Sequence, residues 1–592
     1  MKAETVDTDV LVIGGGAAGC SAALKAHELG ARVLMVVKGK MGRSGATAIA
    51  AYLSGTPTIP GPYPLLSYLK KIYSAISNIV PLPLPSSYSE ALENVLKQHY
   101  WLVDQDYFLD SVLWVAKRFY PSIENNGLYL LRDEDGKPVT PPRFPYYTSY
   151  KTGMSGYQFG EAKRKEVLSK EIGVLEEAMA FALLTGRGGG VVGAMALDYA
   201  RGRLYAIRAK STILATGHTN WISKRATGTR EMAANGLAMA ARVGAEFENL
   251  EIQWFHASDT AYPECWMRMQ HYPNPLVGTP HQAVMVNSES QEYMRNEDYA
   301  IGTPYTIQMK MLYQQVKQGR ARWDGGNYTD YRLVDPEALK KYQYNWEFYE
   351  KLGVDGSKEP LESAITWHMS AGGVKTDPKT METNIPGLYI AGAVGAHQLG
   401  AIPLAAYDGA LAGTQAIRRA QRVSLPEIDG EQVKTAEQRI AGYLSGGQGV
   451  GIPPIQVKKR IREVVWDRLM FVRREESLKQ ALEQLGAIQE EMIPNMRLRT
   501  SSSSYNTDLI DALDAVDMVE VCEMVVHAAL ARRESRGPHF REDFPVTDNL
   551  NWLKHVVVSR DGEQVTTRLE PVRQKYVRPK PQTLDYFANP YE

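Results

Sequence analysis

The sequence predicts an α/β fold: a Rossmann-like dinucleotide-binding domain with an inserted α+β capping domain, followed by a C-terminal helical bundle and an extended tail. Three observations lead to this prediction. Residues 8–38 read strand, glycine-rich turn, helix and strand, which is one βαβ unit. Residues 387–420 return to this style after a long aromatic-rich segment. Beyond about residue 425, Glu, Arg, Gln and Leu recur at helical spacing.

The overall composition is that of an ordinary globular protein without an excess of either charge. Among 592 residues, 44% are hydrophobic and 23% are charged, and 67 Lys and Arg balance 67 Asp and Glu. A nucleic-acid surface needs a basic excess, so we expect no nucleic-acid partner. Neither a secretory leader nor a run of about 18 apolar residues is visible. The sequence therefore predicts a cytoplasmic location without direct membrane insertion.

The cysteines argue against two kinds of site. Only Cys20, Cys265 and Cys522 occur, far apart and outside any Cys-x-x-Cys pair. This pattern is not that of a disulfide framework, nor of an iron–sulfur cluster held by this chain alone. No residue pattern predicts a metal site.

The first chemical motif is a Gly-x-Gly-x-x-Gly turn between the first strand and the first helix. Gly14 permits a tight turn, Gly16 lets the backbone approach a diphosphate, and Gly19 lets the helix pack closely on the strand. The helix opens at Ala17 and Ala18, so its unpaired amides and the positive end of its dipole are expected to face the phosphates.

Two further features refine this motif. At the end of the second strand, Val37 and Lys38 stand where an acidic ribose-binding residue is usual, and Lys38 is a cofactor-binding candidate. A later strand ends in Ala215-Thr216-Gly217, small residues of the kind that pass close to a dinucleotide. This second motif favours FAD over NAD, since NAD-binding domains do not need it.

A third motif closes the FAD-binding fold. The strand 387–392 ends at Gly392, and the helix that follows begins around Ala401 and Leu404, with its N-terminus directed at the flavin ring. A helix dipole there would stabilise negative charge on reduced flavin. The predicted domains are the FAD-binding domain (1–250 and 361–425), the capping or substrate domain (251–360), the helical domain (426–535) and the C-terminal extension (536–592). The predicted elements include short strands within residues 190–217, two of them at 203–209 and 211–217, and helices over residues 230–243, 455–485 and 505–533.

The order of these motifs resembles the flavoprotein subunit of fumarate reductase and succinate dehydrogenase, over nearly the whole chain. Five further stretches carry the resemblance: Arg43-Ser44-Gly45-Ala46, Phe255-His256, the run from His368 to Gly373, residues 533–545 and residues 551–555. The flavin subunit of adenylylsulfate reductase belongs to the same superfamily. It has an Arg-Ser-Gly-Ala stretch like residues 43–46, where the membrane-bound enzymes have Ser-His-Thr.

The resemblance implies roles for particular residues. Gly45 stands where respiratory members have the histidine that holds FAD covalently, so FAD is expected to be non-covalent. His256 and His368 match the two substrate-binding histidines of the family and are catalytic candidates. The residues expected to lie along FAD in the first stretch are Ser44, Gly45, Ala46 and Thr47.

Two cations of the family's substrate site are missing from this sequence. The proton-donating arginine would fall near Thr279, and the last substrate arginine becomes Gln398. Losing both removes the bidentate contacts to a dicarboxylate, so we expect a substrate other than plain fumarate or succinate. His397 is a candidate replacement donor or proton carrier. Three aromatic residues either line a more apolar pocket or belong to the core: Trp254, Trp367 and Tyr389.

The predicted function is that of the catalytic subunit of an FAD-dependent oxidoreductase that uses hydride transfer at flavin N5. No NAD site and no cluster-binding cysteines are visible, so a separate iron–sulfur subunit is expected to exchange electrons with it. Two alternatives remain open. Gly45 and the lost arginines favour adenylylsulfate-reductase-like chemistry between flavin and sulfur. The missing catalytic arginine alone favours an FAD electron relay or scaffold within a larger complex.

Overall fold

The computed structural model of the protein describes most of the chain. The described residues are 1–50, 92–93, 96–97, 99–119, 122, 124–125, 135–136, 155–258, 284–294, 304–322, 324–336, 350–396, 402–446 and 451–587. The helices are α1 (Ala17–Glu28), α2 (Gly45–Ile49), α3 (Gln105–Trp114), α4 (Ser155–Ser169), α5 (Asn235–Arg242), α6 (Pro304–Lys317), α7 (Ile402–Ala420), α8 (Gly430–Ser445), α9 (Pro454–Arg468), α10 (Glu475–Ala487) and α11 (Thr507–Ala531). None of the described helices combines the length and apolar character that a membrane crossing requires.

The strands form two larger sheets and several small ones. They are β1 (Ala3–Ile13), β2 (Val33–Val37), β3 (Gly173–Glu176), β4 (Ala178–Thr185), β5 (Val191–Asp198), β6 (Arg203–Leu214), β7 (Phe247–Glu248), β8 (Gln253–Ser258), β9 (Val284–Val286), β10 (Glu292–Met294), β11 (Asn327–Asp330), β12 (Leu361–Ser370), β13 (Gly373–Val374), β14 (Leu388–Ile390), β15 (Val472–Arg473), β16 (Phe540–Arg541), β17 (Val546–Asp548), β18 (Lys554–Asp561), β19 (Gln564–Pro571) and β20 (Thr583–Asp585).

The largest sheet has the topology of a dinucleotide-binding fold. Its order is β3-β2-β1-β6-β5-β4, and β14 pairs with the end of β6. β1 and β6 run parallel, from Ala3 opposite Leu204 to Ile13 opposite Leu214. The sequence suggested two short strands within residues 203–217, but pairing along β1 makes them one. The parallel strands β1, β2, β6 and β14 end at one edge, where open α/β sheets bind ligands.

Helices α1 and α7 cross at backbone contact because small residues lie where they meet. A Cβ at Gly409 would lie 2.1 Å from the carbonyl oxygen of Ala18, and one at Gly413 would lie 2.5 Å from that of Ala22. α1 ends before Gly30, whose φ of +91° is the left-handed conformation that closes many helices. The contacts fix the position of α7 relative to the turn that precedes α1.

Helix α5 is shorter than the helix predicted for residues 230–243. Ala234 has φ +67°, a left-handed conformation that a right-handed helix cannot contain, so α5 begins at Asn235. Gly236 lies against Thr216: a Cβ there would be 1.9 Å from the Thr216 hydroxyl oxygen. The start of α5 is therefore held against the carboxyl end of β6.

The second sheet, in the order β10-β9-β11-β12-β8, contains strands of the inserted region. β8 and β12 are antiparallel neighbours, with Thr366 opposite His256. Their register shifts between Trp367 and Met369, so His368 occupies a β-bulge. Bulges are common next to active sites, where they redirect a side chain. The pairing brings the backbones of two catalytic candidates, far apart in the sequence, onto neighbouring strands.

The helical region corrects one predicted element and confirms another. Residues 455–485, predicted as one helix, form α9 and α10 with β15 between them. The buried Arg473 side chain donates hydrogen bonds to the carbonyl oxygens of Leu469 and Met470, which ends α9. The helix predicted for residues 505–533 is confirmed as α11, where the Asn506 side chain accepts the amide of Leu509 at 3.1 Å.

The chain directly after α11 forms a buried cluster of arginines and carboxylates, here called the C-terminal block. Arg532 Nε lies 2.6 Å from Glu251, and Arg536 Nε lies 2.7 Å from Glu534. His539 is fully buried in this cluster, and burial together with the neighbouring arginine charges holds its pKa well below the usual range. The block therefore ties the start of β8 to the chain after α11 through charged pairs closed to solvent.

We predict that Gly19→Ala destabilises the fold. A Cβ at Gly19 would lie 2.1 Å from the carbonyl oxygen of Gly14, so α1 must shift away from β1. Overpacking of this kind lowers the free energy of unfolding by about 1–3 kcal/mol, which urea unfolding measures. Gly486→Ala is the control, because a Cβ there meets nothing within 4 Å and alanine favours the helix. Equal stability of the two variants would contradict the packing argument.

Candidate active site

The turn between β1 and α1 is closed by backbone contacts that require glycine. Gly14 has φ +122°, and a Cβ there would lie 2.1 Å from the carbonyl oxygen of Ala215. The tight contact of Gly19 with the Gly14 carbonyl joins α1 to the same point. The ends of β1 and β6 and the start of α1 therefore touch, which brings Thr216 and Gly217 beside the turn.

Three other glycines along this edge are less enclosed. Among the described residues, a Cβ at Gly45 or Gly217 would meet no atom within 4 Å, and one at Gly16 would lie close to the Thr47 side chain alone, with its hydroxyl oxygen at 3.1 Å. The amide of Ala17 donates to that hydroxyl at 3.0 Å. The edge is thus a crevice lined by backbone at the N-terminus of a twelve-residue helix. This arrangement fits the diphosphate of FAD.

The short helix α2 supplies one wall of the crevice. Ser44 precedes it and donates its hydroxyl to the carbonyl oxygen of Lys40 at 2.8 Å. Ser44, Gly45, Ala46 and Thr47 are all partly exposed, so their backbone is accessible from the crevice. No histidine occurs in this stretch, so it offers no imidazole for a covalent bond to FAD.

Lys38 lies at the same edge, directly after β2, and is held by the helical region. Its Nζ lies 2.6 Å from Asp514 Oδ1 and 3.0 Å from Asn235 Oδ1. Asn235 in turn donates its amide to Asp514 at 3.0 Å and to Asp517 at 2.6 Å. Sequence reasoning missed Asn235, because only the folded chain brings it next to Lys38.

The turn after β14 is anchored by a buried acid. Gly392, with φ +72°, donates its amide to Asp408 Oδ2 at 3.2 Å, and Asp408 Oδ1 accepts the Tyr107 hydroxyl at 2.6 Å. Burial raises the pKa of Asp408 to about 7, against the opposing effect of these two donors. Leu404, in the first turn of α7, is buried in the core around α1. The start of α7 is thus fixed behind the crevice.

His368 is oriented by the segment that follows β6. Its Nδ1 lies 2.7 Å from the Thr227 hydroxyl, and its carbonyl oxygen accepts the Asn220 side-chain amide at 2.6 Å. The Thr227 amide also donates to the carbonyl oxygen of Trp367 at 3.1 Å. Residues 218–227 therefore hold the bulge of β12 through both backbone and side chain, and the His368 side chain remains partly exposed.

Of three other predicted site residues, one is placed in part and two are not described. His256 lies on β8 opposite Thr366, close to His368 along the sheet, but its side chain lies outside the described residues. His397 and Ala401 also lie outside the described residues.

His218 is a site residue that sequence reasoning missed. It directly follows Gly217, and its Nδ1 accepts a long hydrogen bond of 3.4 Å from the Ser370 amide. The adjacent Thr219 hydroxyl lies 2.7 Å from that of Ser370. Burial lowers the pKa of His218 to about 4, so the ring is neutral near pH 7. With Nδ1 as the acceptor, the proton lies on Nε2, which makes His218 a hydrogen-bond donor and not an acid.

The three aromatic residues with two possible roles belong to the core. Trp367 is fully buried and donates its indole N–H to Gln253 at 3.1 Å, and Tyr389 is 3% exposed. Trp254 is 6% exposed and stacks on His99 with ring centroids 5.7 Å apart. They support β8, β12 and β14 from within and do not line an open pocket.

One arginine lies close to the strand of His368 but is already paired. The carbonyl oxygen of Arg225 accepts the Trp367 amide at 3.0 Å. Its guanidinium lies 3.0 Å from Asp324 and 5.1 Å from the centre of the Trp466 ring. Asp324 therefore neutralises the positive charge with which Arg225 could have bound a substrate carboxylate.

Comparison with known proteins identifies the family of this chain. Residues 9–407 match a family model described as an FAD binding domain, and residues 458–586 match one described as the fumarate reductase flavoprotein C-term. The chain belongs to the fumarate reductase and succinate dehydrogenase flavoprotein family. It is an FAD-dependent oxidoreductase of that family, and FAD is its cofactor.

Relatives of this flavoprotein span its whole length. It is 27% identical to a fumarate reductase (CoM/CoB) protein of Methanothermobacter marburgensis over 95% of this chain and 99% of that protein. It is 28% identical to an uncharacterized FAD-dependent oxidoreductase of Methanocaldococcus jannaschii over 93% of this chain and 96% of that one. The solved structures that share its fold include the two described next.

The first of these structures is the Escherichia coli quinol fumarate reductase flavoprotein, with TM-score 0.79 and 21% identity, covering 98% of this chain and 99% of that chain. The second is adenylylsulfate reductase from Archaeoglobus fulgidus, with TM-score 0.76 and 19% identity, covering 97% of each chain.

We predict that Gly16→Val abolishes FAD retention while the fold survives. The added side chain meets only Thr47 but fills the space that we assign to the diphosphate. Loss of charge-assisted hydrogen bonds should lower the ratio of FAD to protein at least about tenfold, measured by absorbance of the purified protein. Gly188→Val, in an exposed turn with nothing within 4 Å, is the control and should stay fully yellow. A yellow Gly16→Val variant would refute the assignment.

We predict that His218 makes stability depend on pH between its ordinary pKa of 6.5 and its folded value of about 4. In this window the unfolded chain binds a proton that the folded protein does not, so stability falls as pH falls. The loss amounts to about 3 kcal/mol at most. His218→Gln should reduce the difference between the unfolding free energies at the two ends of this window. An unchanged difference would show that the folded imidazole titrates normally.

Proposed function

We propose that the protein is the catalytic subunit of an FAD-dependent oxidoreductase that acts on a substrate other than plain fumarate or succinate. The observation that carries this proposal is that this sequence has no arginine near Thr279 or at Gln398, where the resemblance places the two dicarboxylate-binding arginines. Arg225 does not replace them, since Asp324 already pairs with it. A substrate with fewer negative charges suits such a site.

Some residues of the site bind the cofactor, and others transfer a proton. Bound FAD supplies two-electron chemistry by hydride transfer at N5. The start of α1 and the open backbone at Gly16, Gly45 and Gly217 hold its diphosphate and keep it in the crevice. Thr227 orients the His368 imidazole, to which we assign proton transfer with the substrate. His218 offers an N–H to a developing negative charge.

His256 and His397 remain catalytic candidates. His256 is proposed as a substrate ligand from its strand, β8, next to β12. His397 is proposed as a donor in place of the lost arginine beside it. Replacing each by glutamine separates them: the proton carrier should shift the pH profile of kcat, whereas a substrate ligand should raise KM.

We propose that FAD is held without a covalent bond, because Gly45 has no side chain that could form one. Acid precipitation of the purified protein should then release all of the FAD into the supernatant, whereas FAD covalently bound to protein would stay in the yellow pellet. A yellow pellet would contradict this assignment.

We propose that the electron-transfer partner is an iron–sulfur protein, bound as a separate subunit. Cys20 and Cys522 are both buried and unpaired, and burial raises the pKa of each thiol far above its usual range. Thiols of this kind do not bind a cluster, which requires thiolates. The described cysteines therefore do not anchor a cluster, and we assign that role to another chain. Co-purification of a cluster-containing protein with the tagged native chain would support this, and full flavin reduction by NADH alone would oppose it.

Two other functions have specific support. The Arg-Ser-Gly-Ala stretch at residues 43–46 resembles adenylylsulfate reductase and favours flavin–sulfur chemistry. The missing arginine near Thr279 favours an electron relay. Against the first, the relative covering 95% of this chain at 27% identity is called a fumarate reductase.

One experiment separates these functions. The holoprotein is reduced anaerobically by light and an electron donor that leaves no sulfite, and is mixed with fumarate, with mono-acids and esters of the same carbon skeleton, or with adenylylsulfate, which two electrons convert to adenosine monophosphate and sulfite. We expect flavin absorbance to return faster with the mono-acids or esters than with fumarate. Fumarate as the fastest oxidant would refute the changed substrate. Return of flavin absorbance with adenylylsulfate alone would favour sulfur chemistry, and no return with any small molecule would favour the relay.

We predict that His368→Gln lowers kcat by about 10²- to 10⁴-fold with the best oxidant, because proton transfer then lacks its carrier. The FAD content should not change, since His368 lies on β12 and not at the diphosphate turn. His27→Gln, on the last turn of α1, is the control and should retain full turnover. Turnover that survives His368→Gln would remove this residue from the catalytic assignment.

A further inference from the structure

The longest described helix, α11, has an acidic residue at every third position over much of its length. They are Asp508, Asp511, Asp514, Asp517, Glu520 and Glu523. An α-helix turns about 100° per residue, so each acid is displaced about 60° around the axis from the one before. The acids therefore wind around the helix, and successive acids meet different neighbours.

Each acid of this spiral is paired with a cation. The pairs are Asp508–Arg499, Asp511–Lys458, Asp514–Lys458, Asp514–Lys38, Asp517–Arg242, Glu520–Arg242 and Glu523–Arg560. Most partners come from other elements: α9, the end of β2, α5 and β18. A buried charge without a partner is costly, so these pairs specify which element packs on each side of the helix.

Asp514 is the acid of the spiral that contacts Lys38, the lysine at the edge of the crevice. It is 1% exposed, and its Oδ1 accepts from Lys38 at 2.6 Å and from Asn235 at 3.0 Å. Its Oδ2 accepts from Lys458 at 2.9 Å. Burial alone would raise the pKa of this carboxyl, but the charges of Lys38 and Lys458 hold it below its usual value. Asp514 is thus an ionised carboxylate with three donors.

Two of those donors belong to elements that border the crevice. Lys38 directly follows β2, the position where a dinucleotide fold binds the ribose of adenosine. Asn235 opens α5 next to Gly236, which lies against Thr216 at the end of β6. A lysine ammonium has three N–H donors, and Asp514 and Asn235 accept two of those of Lys38. Among the described contacts, one N–H of Lys38 remains for the cofactor.

We propose that Asp514 is a positioning residue for the adenosine half of FAD, because it fixes the Lys38 ammonium and the Asn235 amide at the end of β2. The inference rests on the proposed assignment of Lys38 to the cofactor. Without the carboxylate, the Lys38 side chain, which is 18% exposed, would turn towards solvent. The packing of α11 then sets the affinity for FAD, although α11 itself holds no part of the phosphate turn.

The test compares Asp514→Asn with Asp511→Asn. Each variant removes one buried carboxylate from α11 and leaves Lys458 with a single acid, but Asp514 alone of the two contacts Lys38. Flavin fluorescence, which recovers when the purified holoprotein is diluted, gives the Kd of FAD. Competition by ADP, which contains only the adenosine diphosphate half, gives a second constant. The thermal unfolding midpoint records general damage.

We expect Asp514→Asn to raise both constants by about tenfold or more, the effect of losing one charge-assisted contact. Asp511→Asn should change neither constant, even where both variants lower the unfolding midpoint. Lys38→Met should reproduce the loss without touching the contact between Asp514 and Lys458, and Asp514→Glu should recover part of the affinity.

Wild-type constants for FAD and ADP in Asp514→Asn would overturn the proposal, and so would equal weakening in Asp511→Asn. If Asp514→Asn does not fold, Lys38→Met tests the proposal instead. Unchanged constants for FAD and ADP in that variant would also overturn it. These outcomes leave the oxidoreductase function intact. A separate result would refute that function: reduced flavin in the wild-type protein that no small molecule reoxidises.

Discussion

The backbone contact at the turn between β1 and α1 is the constraint on which the rest of the site depends. Gly14 touches the Ala215 carbonyl, and Gly19 touches that of Gly14, each at a distance that leaves no room for a Cβ. Strands β1 and β6 can therefore end together with the helix N-terminus against them. Gly217 lies directly beyond this junction, and a Cβ there would meet no atom of the described residues within 4 Å. Closed packing on one side of the turn thus creates an open, backbone-lined edge on the other.

Buried charge, and not apolar packing alone, joins the distant parts of the chain. The acids of α11 receive cations from the end of β2, from α5, from α9 and from β18, and the arginine cluster after α11 reaches Glu251 at the start of β8. Buried ion pairs add little net stability over apolar contacts of the same shape, but breaking one is costly. Their main effect is to make one arrangement of these elements much lower in free energy than the alternative arrangements.

The described substrate side is held together by a single short segment. Residues 218–227 leave the crevice edge at Gly217 and pair with β12 on both sides of the His368 bulge. Within this segment His218 is neutral and Arg225 is paired with Asp324, whereas Lys224 is exposed. The proposal of a substrate with fewer charges than a dicarboxylate rests on the pairing of Arg225 and on the two arginines missing from the sequence.

The sequence alone determined the dinucleotide fold, the glycine turn, α11 and the choice of FAD, because these depend on local spacing and on residues such as Gly16 that act through their own backbone. It did not determine that Asn235 meets Lys38, that Trp367 belongs to the core, or that His218 lies in the site. Those facts depend on which strands and helices become neighbours across hundreds of residues. Burial and ion pairing then set the charge of each group. Only the tertiary structure determines which elements are neighbours and which groups are buried and paired.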